Sequence, residues 1–176
     1  MDVIAIIFSS FFLLLGIFMI PWRIIAAPAC SFLGLLILSM GKTPEGYPLL
    51  PLDSSIILGW LFMTVLVTVA TLCQPAQVRN ARKGMGYFLI GALTGMMLGL
   101  LGFTITSETG AYYAIMCVAV DIGTFLGFLI FSKTPSGRSV APGSGNFFTY
   151  LMAKGFPTAV SIMQTGLVFV LWIALR

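Results

Sequence analysis

Histidine is absent from this chain of 176 residues, and charged side chains make up only 8% of it. Without imidazole, the commonest ligand for zinc, haem or copper is missing, so neither a metal nor a cofactor is expected. A serine nucleophile would also lack its usual histidine base, and the lysines fall in loops. Three cysteines, Cys30, Cys73 and Cys117, lie within or at the edge of apolar stretches. None belongs to a CxxC or Cys/His pattern, and they read as small buried apolar side chains. Acids are scarce, and only Asp121 lies inside an apolar run. Acid-pair hydrolysis within the bilayer would need a second carboxyl, so the chain is expected not to be an enzyme. The basic residues occur singly or in one short cluster between apolar runs, so the net charge of +4 does not imply nucleic acid as a partner.

The sequence is rich in hydrocarbon. Hydrophobic residues make up 59% of the chain and its mean hydropathy is +1.08, outside the range of soluble domains. The expectation is an all-α membrane protein, one polytopic domain over residues 1–176. The N-terminal segment MDVIAIIFSS has Asp2 where a signal peptide would carry positive charge, so the first span is expected to remain in place.

About 20 apolar residues cross a bilayer core, and six stretches meet that need. The first runs from Val3 to Ile20 and stops at Pro21, Trp22 and Arg23, which together predict a tight hairpin. Ile24 to Met40 is the second. A proline-rich connection follows, whose Tyr47, Leu49, Leu50 and Leu52 predict contact with the bundle surface. The third span is Ser55 to Cys73, followed by the basic segment QPAQVRNARKG. Met85 to Ile105 is the fourth, the segment from Thr106 to Gly110 forms an acidic turn, and Ala111 to Ser132 is the fifth. After a loop rich in Gly, Ser and Pro, the sixth span runs from Pro157 to Leu175. Phe147, Phe148, Tyr150 and Leu151 just before it predict a short interfacial helix, with Lys154 reaching the headgroups.

With six crossings, Arg23, Arg79, Arg82, Lys83, Lys133, Arg138 and Lys154 share one side, and only Lys42 and Arg176 fall on the other. The excess of positive charge assigns the first side to the cytoplasm. Both termini then face away from it, in a plasma membrane of the bacterial inner-membrane kind.

An internal similarity adds to this topology. Residues 31–46, SFLGLLILSMGKTPEG, match residues 124–137, TFLGFLIFSKTPSG, with a two-residue gap. The shared KTPxG lies outside the helices, where chance likeness between leucine-rich segments has less weight. The implied pseudo-repeats are 1–74 and 85–176, each of three spans, so the second would enter the bilayer inverted. That architecture recurs in secondary transporters, and also in channels and membrane subunits of redox complexes. In this register Asp121 falls opposite Pro28.

A carboxylate at the centre of a membrane helix costs about 2.5–3.5 kcal/mol. Asp121 is therefore either a coupling or binding group on a path for a cation, proton or polar solute, or a structural carboxyl bonded to neighbouring helices. Thr64, Thr94, Thr124 and Gln164 lie near the centres of their spans and could complete a polar layer with it. Gly91, Gly95 and Gly99 make two overlapping GxxxG steps for close helix packing, offering a homodimer seam. The functional expectation is a small transporter or channel for a small solute or cation. The competing expectation is a non-catalytic membrane-embedded subunit or anchor of a larger complex. Expected partners are the lipid bilayer, the small solute or cation, and a second copy or larger membrane complex.

Overall fold

Apolar side chains leave the backbone no polar neighbours in hydrocarbon, so its hydrogen bonds must close within the segment, and helices do this. A computed structural model describes residues 2–43, 46–104 and 108–174, and it is all-helical, with no strand among the described residues. Pro44 and Glu45 of the first KTPxG, residues 105–107 of the acidic turn, and the terminal Leu175 and Arg176 lie outside them.

Helix α1 (Asp2–Met19) is followed by α2 (Ala27–Met40), α3 (Ser54–Leu72), the short α4 (Ala76–Asn80), α5 (Met85–Leu100), α6 (Thr109–Lys133), α7 (Phe147–Tyr150) and α8 (Phe156–Ala174). Helix α3, α6 and the continuous helical stretch from Phe147 to Ala174 are long and apolar enough to cross a membrane, and α1, α2 and α5 are shorter apolar helices. The chain is thus compatible with an integral membrane protein. The second helix starts at Ala27, three residues later than the apolar run, because residues 20–26 are spent in the turn that Pro21 begins.

Two hairpins and a central helix organise the bundle. In the α1–α2 hairpin, the Ser9 hydroxyl donates to the Gly34 carbonyl at 2.8 Å. A Cβ on Gly34 would come within 2.9 Å of the Ser9 carbonyl oxygen. The α5–α6 hairpin is tighter. A Cβ on Gly91 would lie 2.2 Å from the Gly123 carbonyl oxygen, one on Gly95 2.2 Å from that of Ala119, and one on Gly99 2.7 Å from the Met116 Cα. Removing side chains from this stripe lets the backbones touch, which is how helices gain dispersion contacts where lipid supplies no hydrophobic drive. The glycine stripe of α5 is therefore covered by α6 of the same chain, so it is not the open homodimer seam expected above.

Helix α8 runs against both hairpins. Of its apolar window 72% is buried, against 17% for α3, which lies at the periphery. Every residue from Pro157 to Leu167 is buried, polar side chains included, because other helices surround this stretch. The proline-rich connection sends Leu50 into a cluster with Leu35, Leu167 and Leu171, closing that end of the bundle.

The approach to α8 departs from the sequence reading. Pro157 lacks an N–H, and its ring would strike the carbonyl four residues back in a regular helix. A wider π-turn over Leu151–Gly155 precedes it, so the helix continues from α7 through Pro157. This segment turns inward, toward α4 and the start of α5. Phe148 is exposed, but Tyr150 and Lys154 are buried. Tyr150 donates its hydroxyl to the Lys83 carbonyl and Lys154 donates its ammonium to the Arg79 carbonyl. Lys154 is held by the last turn of α4, where the Arg79 carbonyl lies at the depth the side chain occupies. Tyr150 also stacks on Phe128 and Phe131 in a cluster with Phe88.

Candidate functional site

The expected polar layer divides in two. Gln164, on the most enclosed turn of α8, donates through Nε2 to the Thr64 hydroxyl of α3 at 2.8 Å. The Thr64 hydroxyl in turn donates a hydrogen bond to the Trp60 carbonyl at 2.7 Å. Both side chains are buried, and the other amide atom, Gln164 Oε1, is buried with no donor. An amide that cannot reach water gains from any partner, so this bond fixes the peripheral α3 to the central α8. Ser161 and Thr165 flank Gln164 on α8, and their hydroxyls bond back to the Pro157 and Ser161 carbonyls. Such back-bonding satisfies the hydroxyls inside their own helix.

The other expected members do not join this pair. Thr124 is buried, but its hydroxyl returns to the Val120 carbonyl at 2.7 Å. Thr94 is exposed and bonds back to the Ile90 carbonyl at 2.8 Å. It lies on the rim of an apolar groove where α5 and α6 meet, near Ile122 and Leu126. Asp121 is exposed near the midpoint of α6. Helical spacing puts it on one stripe with Tyr113 and Cys117, and the exposed Val118, Ile122 and Phe125 surround it in sequence. Thr124, three residues further, turns into the bundle while Asp121 turns outward. The apolar character of α6 is nearly even around its circumference, so the pattern of residues carried no signal of which face would be enclosed.

Tyr113 belongs with the buried polar atoms and was not among the expected residues. Its hydroxyl is buried without a hydrogen-bond partner, and its ring meets Trp60 edge-on at 6.2 Å between centroids. Trp60 thus serves twice, accepting from Thr64 through its carbonyl and packing on Tyr113 through its indole. A tyrosine near the start of a membrane helix reads equally well as an interfacial anchor, which is why the sequence did not separate it.

The cysteines are free, with Cys30 and Cys117 half-buried and Cys73 exposed at the end of α3. Cys73 therefore departs from the buried role expected of it, because α3 packs on the bundle along one narrow face. Among the described residues, no three His, Cys, Asp or Glu side chains cluster as metal ligands would. No family model, curated protein or solved structure matches this chain.

Proposed function

We propose that this protein is a non-catalytic membrane-embedded subunit that works through assembly with another membrane chain, with Asp121 at the contact. One observation carries the reading: a carboxyl near the middle of a membrane-length helix is exposed among Val118, Ile122 and Phe125. In hydrocarbon such a group costs about 2.5–3.5 kcal/mol. A partner helix that offers a donor removes that cost and gains the surrounding apolar contact.

The topology that goes with this reading has six crossings in two inverted three-helix halves, with the basic connections on the cytoplasmic side and both termini opposite. Gly34 and Gly127, equivalent in the internal alignment, both supply the close approach of their hairpin, each against the helix before it. Ser39 and Ser132, also equivalent, each donate to the carbonyl three residues back. These parallels support the duplication.

The experiment is in-membrane photo-crosslinking from positions 118 and 125, which flank Asp121. The expected result is a protein adduct of one defined mass, lost in Asp121→Leu and absent from a control probe at Leu58 on α3. Lipid adducts alone from positions 118 and 125 would overturn the reading.

A second reading is a transporter or channel for a small solute or cation, with Asp121 lining a path completed by the neighbouring chain. The donor-less Gln164 Oε1 favours it, because a buried amide oxygen can accept from a passing water or solute. Here Asp121→Asn in reconstituted vesicles should abolish pH- or cation-dependent uptake while the protein stays folded, and unchanged uptake would exclude the path.

A further inference from the structure

Three segments that are far apart in sequence meet at one end of the bundle and line a cleft of about 510 Å³. The α1–α2 turn supplies Trp22 and Arg23, α4 supplies Arg79, the connection after it supplies Arg82, and the π-turn supplies Lys154. No acidic residue is among those lining it.

The charge in this cleft is held in place. Lys154 is 3% exposed, and its contact with the Arg79 carbonyl uses one of the three protons an ammonium can donate. Arg79 is half-buried and fixed by donation to the Leu72 carbonyl at 3.1 Å. Arg82 lies over the Trp22 ring, 5.0 Å from its centroid, which orients the guanidinium and shields one of its faces. Gathering four cations around a cleft without a carboxylate is unfavourable unless an anion enters. Guanidinium groups and an ammonium at the membrane boundary match the oxygens of a phosphate group in both charge and donor geometry.

We infer that this cleft, lined by Arg23, Arg79, Arg82 and Lys154, is a binding site for a phosphate group, carried either by an anionic phospholipid headgroup or by a soluble phosphate ester. The inference is independent of the role proposed for Asp121, since the cleft lies at the end of the bundle and Asp121 near the middle of α6. Trp22 and Ile25 on the rim give the apolar part of either ligand a surface to rest on.

The test uses the whole protein in phosphatidylcholine nanodiscs, either doped with phosphatidylglycerol or supplied with glycerol 3-phosphate in solution, and reads ligand affinity by native mass spectrometry and thermal shift. Arg23 and Arg82 are exposed, so the paired substitution Arg23→Gln and Arg82→Gln leaves the core intact. Each cation near such a surface contributes enough that removing two should weaken binding about 30-fold. Lys154→Met is the second variant, and it should abolish binding wherever the protein stays folded. Saturable binding of phosphatidylglycerol that the paired substitution weakens assigns the site to a lipid headgroup, and the same behaviour with glycerol 3-phosphate alone assigns it to a soluble ester. Binding of neither, or equal binding by wild type and paired variant, would overturn the inference.

Discussion

Gln164 and Thr64 lie 100 residues apart in the chain and are joined by a buried hydrogen bond from the amide Nε2 to the hydroxyl oxygen. The peripheral helix α3 is tied to α8 by this contact, whereas the neighbouring hydroxyls of Ser161 and Thr165 bond within their own helix. Because Gln164 Oε1 already lacks a donor, the two ends of the bond should respond differently to substitution. Thr64→Val leaves the whole amide unpaired and should destabilise by about 1 kcal/mol. Gln164→Leu removes both amide atoms together and should be close to neutral. Thermal unfolding in detergent would check the order, and a larger loss from Gln164→Leu would contradict it.

The α5–α6 hairpin has no room for side chains at its crossing. Gly91→Ala and Gly123→Ala each drive a methyl within 2.2 Å of the opposite carbonyl oxygen. Backbone cannot yield as a side chain can, so each should cost about 1–3 kcal/mol. Gly86, in the same α5, has nothing within 4 Å of its would-be Cβ. Gly86→Ala should stabilise by up to about 1 kcal/mol through helix propensity. Measuring all three by the same thermal assay distinguishes crowding at the crossing from a general intolerance of α5 to substitution.

Tyr150 holds the α4–α5 connection through its bond to the Lys83 carbonyl. Tyr150→Phe keeps the stacking on Phe128 and Phe131 and should cost about 1 kcal/mol. Tyr150→Ala removes the ring as well and should cost about 3–5 kcal/mol. Limited trypsin digestion reads the same effect locally: cleavage after Arg79, Arg82 and Lys83 should accelerate in Tyr150→Phe. An unchanged cleavage rate would show that the loop is held by other contacts.

The orientation can be checked with the native thiols. Cys73 is exposed at the end of α3, next to the basic connection, whereas Cys30 and Cys117 are half-buried. A membrane-impermeant maleimide should label Cys73 from the cytoplasmic side of sealed vesicles and leave the other two unlabelled until denaturation. Labelling of Cys73 from the opposite side would reverse the proposed topology.

Much of the architecture could be read from particular residues. Pro21, Trp22 and Arg23 marked the first turn because proline and a charge both disfavour continuing an apolar helix. The small-residue ladder of α5 signalled a close crossing, because only glycine leaves space for backbone contact. Its partner could not be read, since another chain and α6 would satisfy the same glycines equally well. The site was less legible. Thr64 and Gln164 are joined, but Thr94 and Thr124 each satisfy their hydroxyl within their own helix. The burial of Lys154 against the Arg79 carbonyl could not be read, since it depends on the π-turn before Pro157.

By itself the sequence determined that the chain is built from apolar helices and where the first of them turns back, because these follow from local composition and backbone chemistry. Only the tertiary structure decided that Asp121 lies on the outside, that α6 covers the glycine stripe and that Arg23, Arg79, Arg82 and Lys154 share one cleft. A helix apolar on every face carries no mark of which face will be enclosed, and that choice is made by the neighbours packed against it.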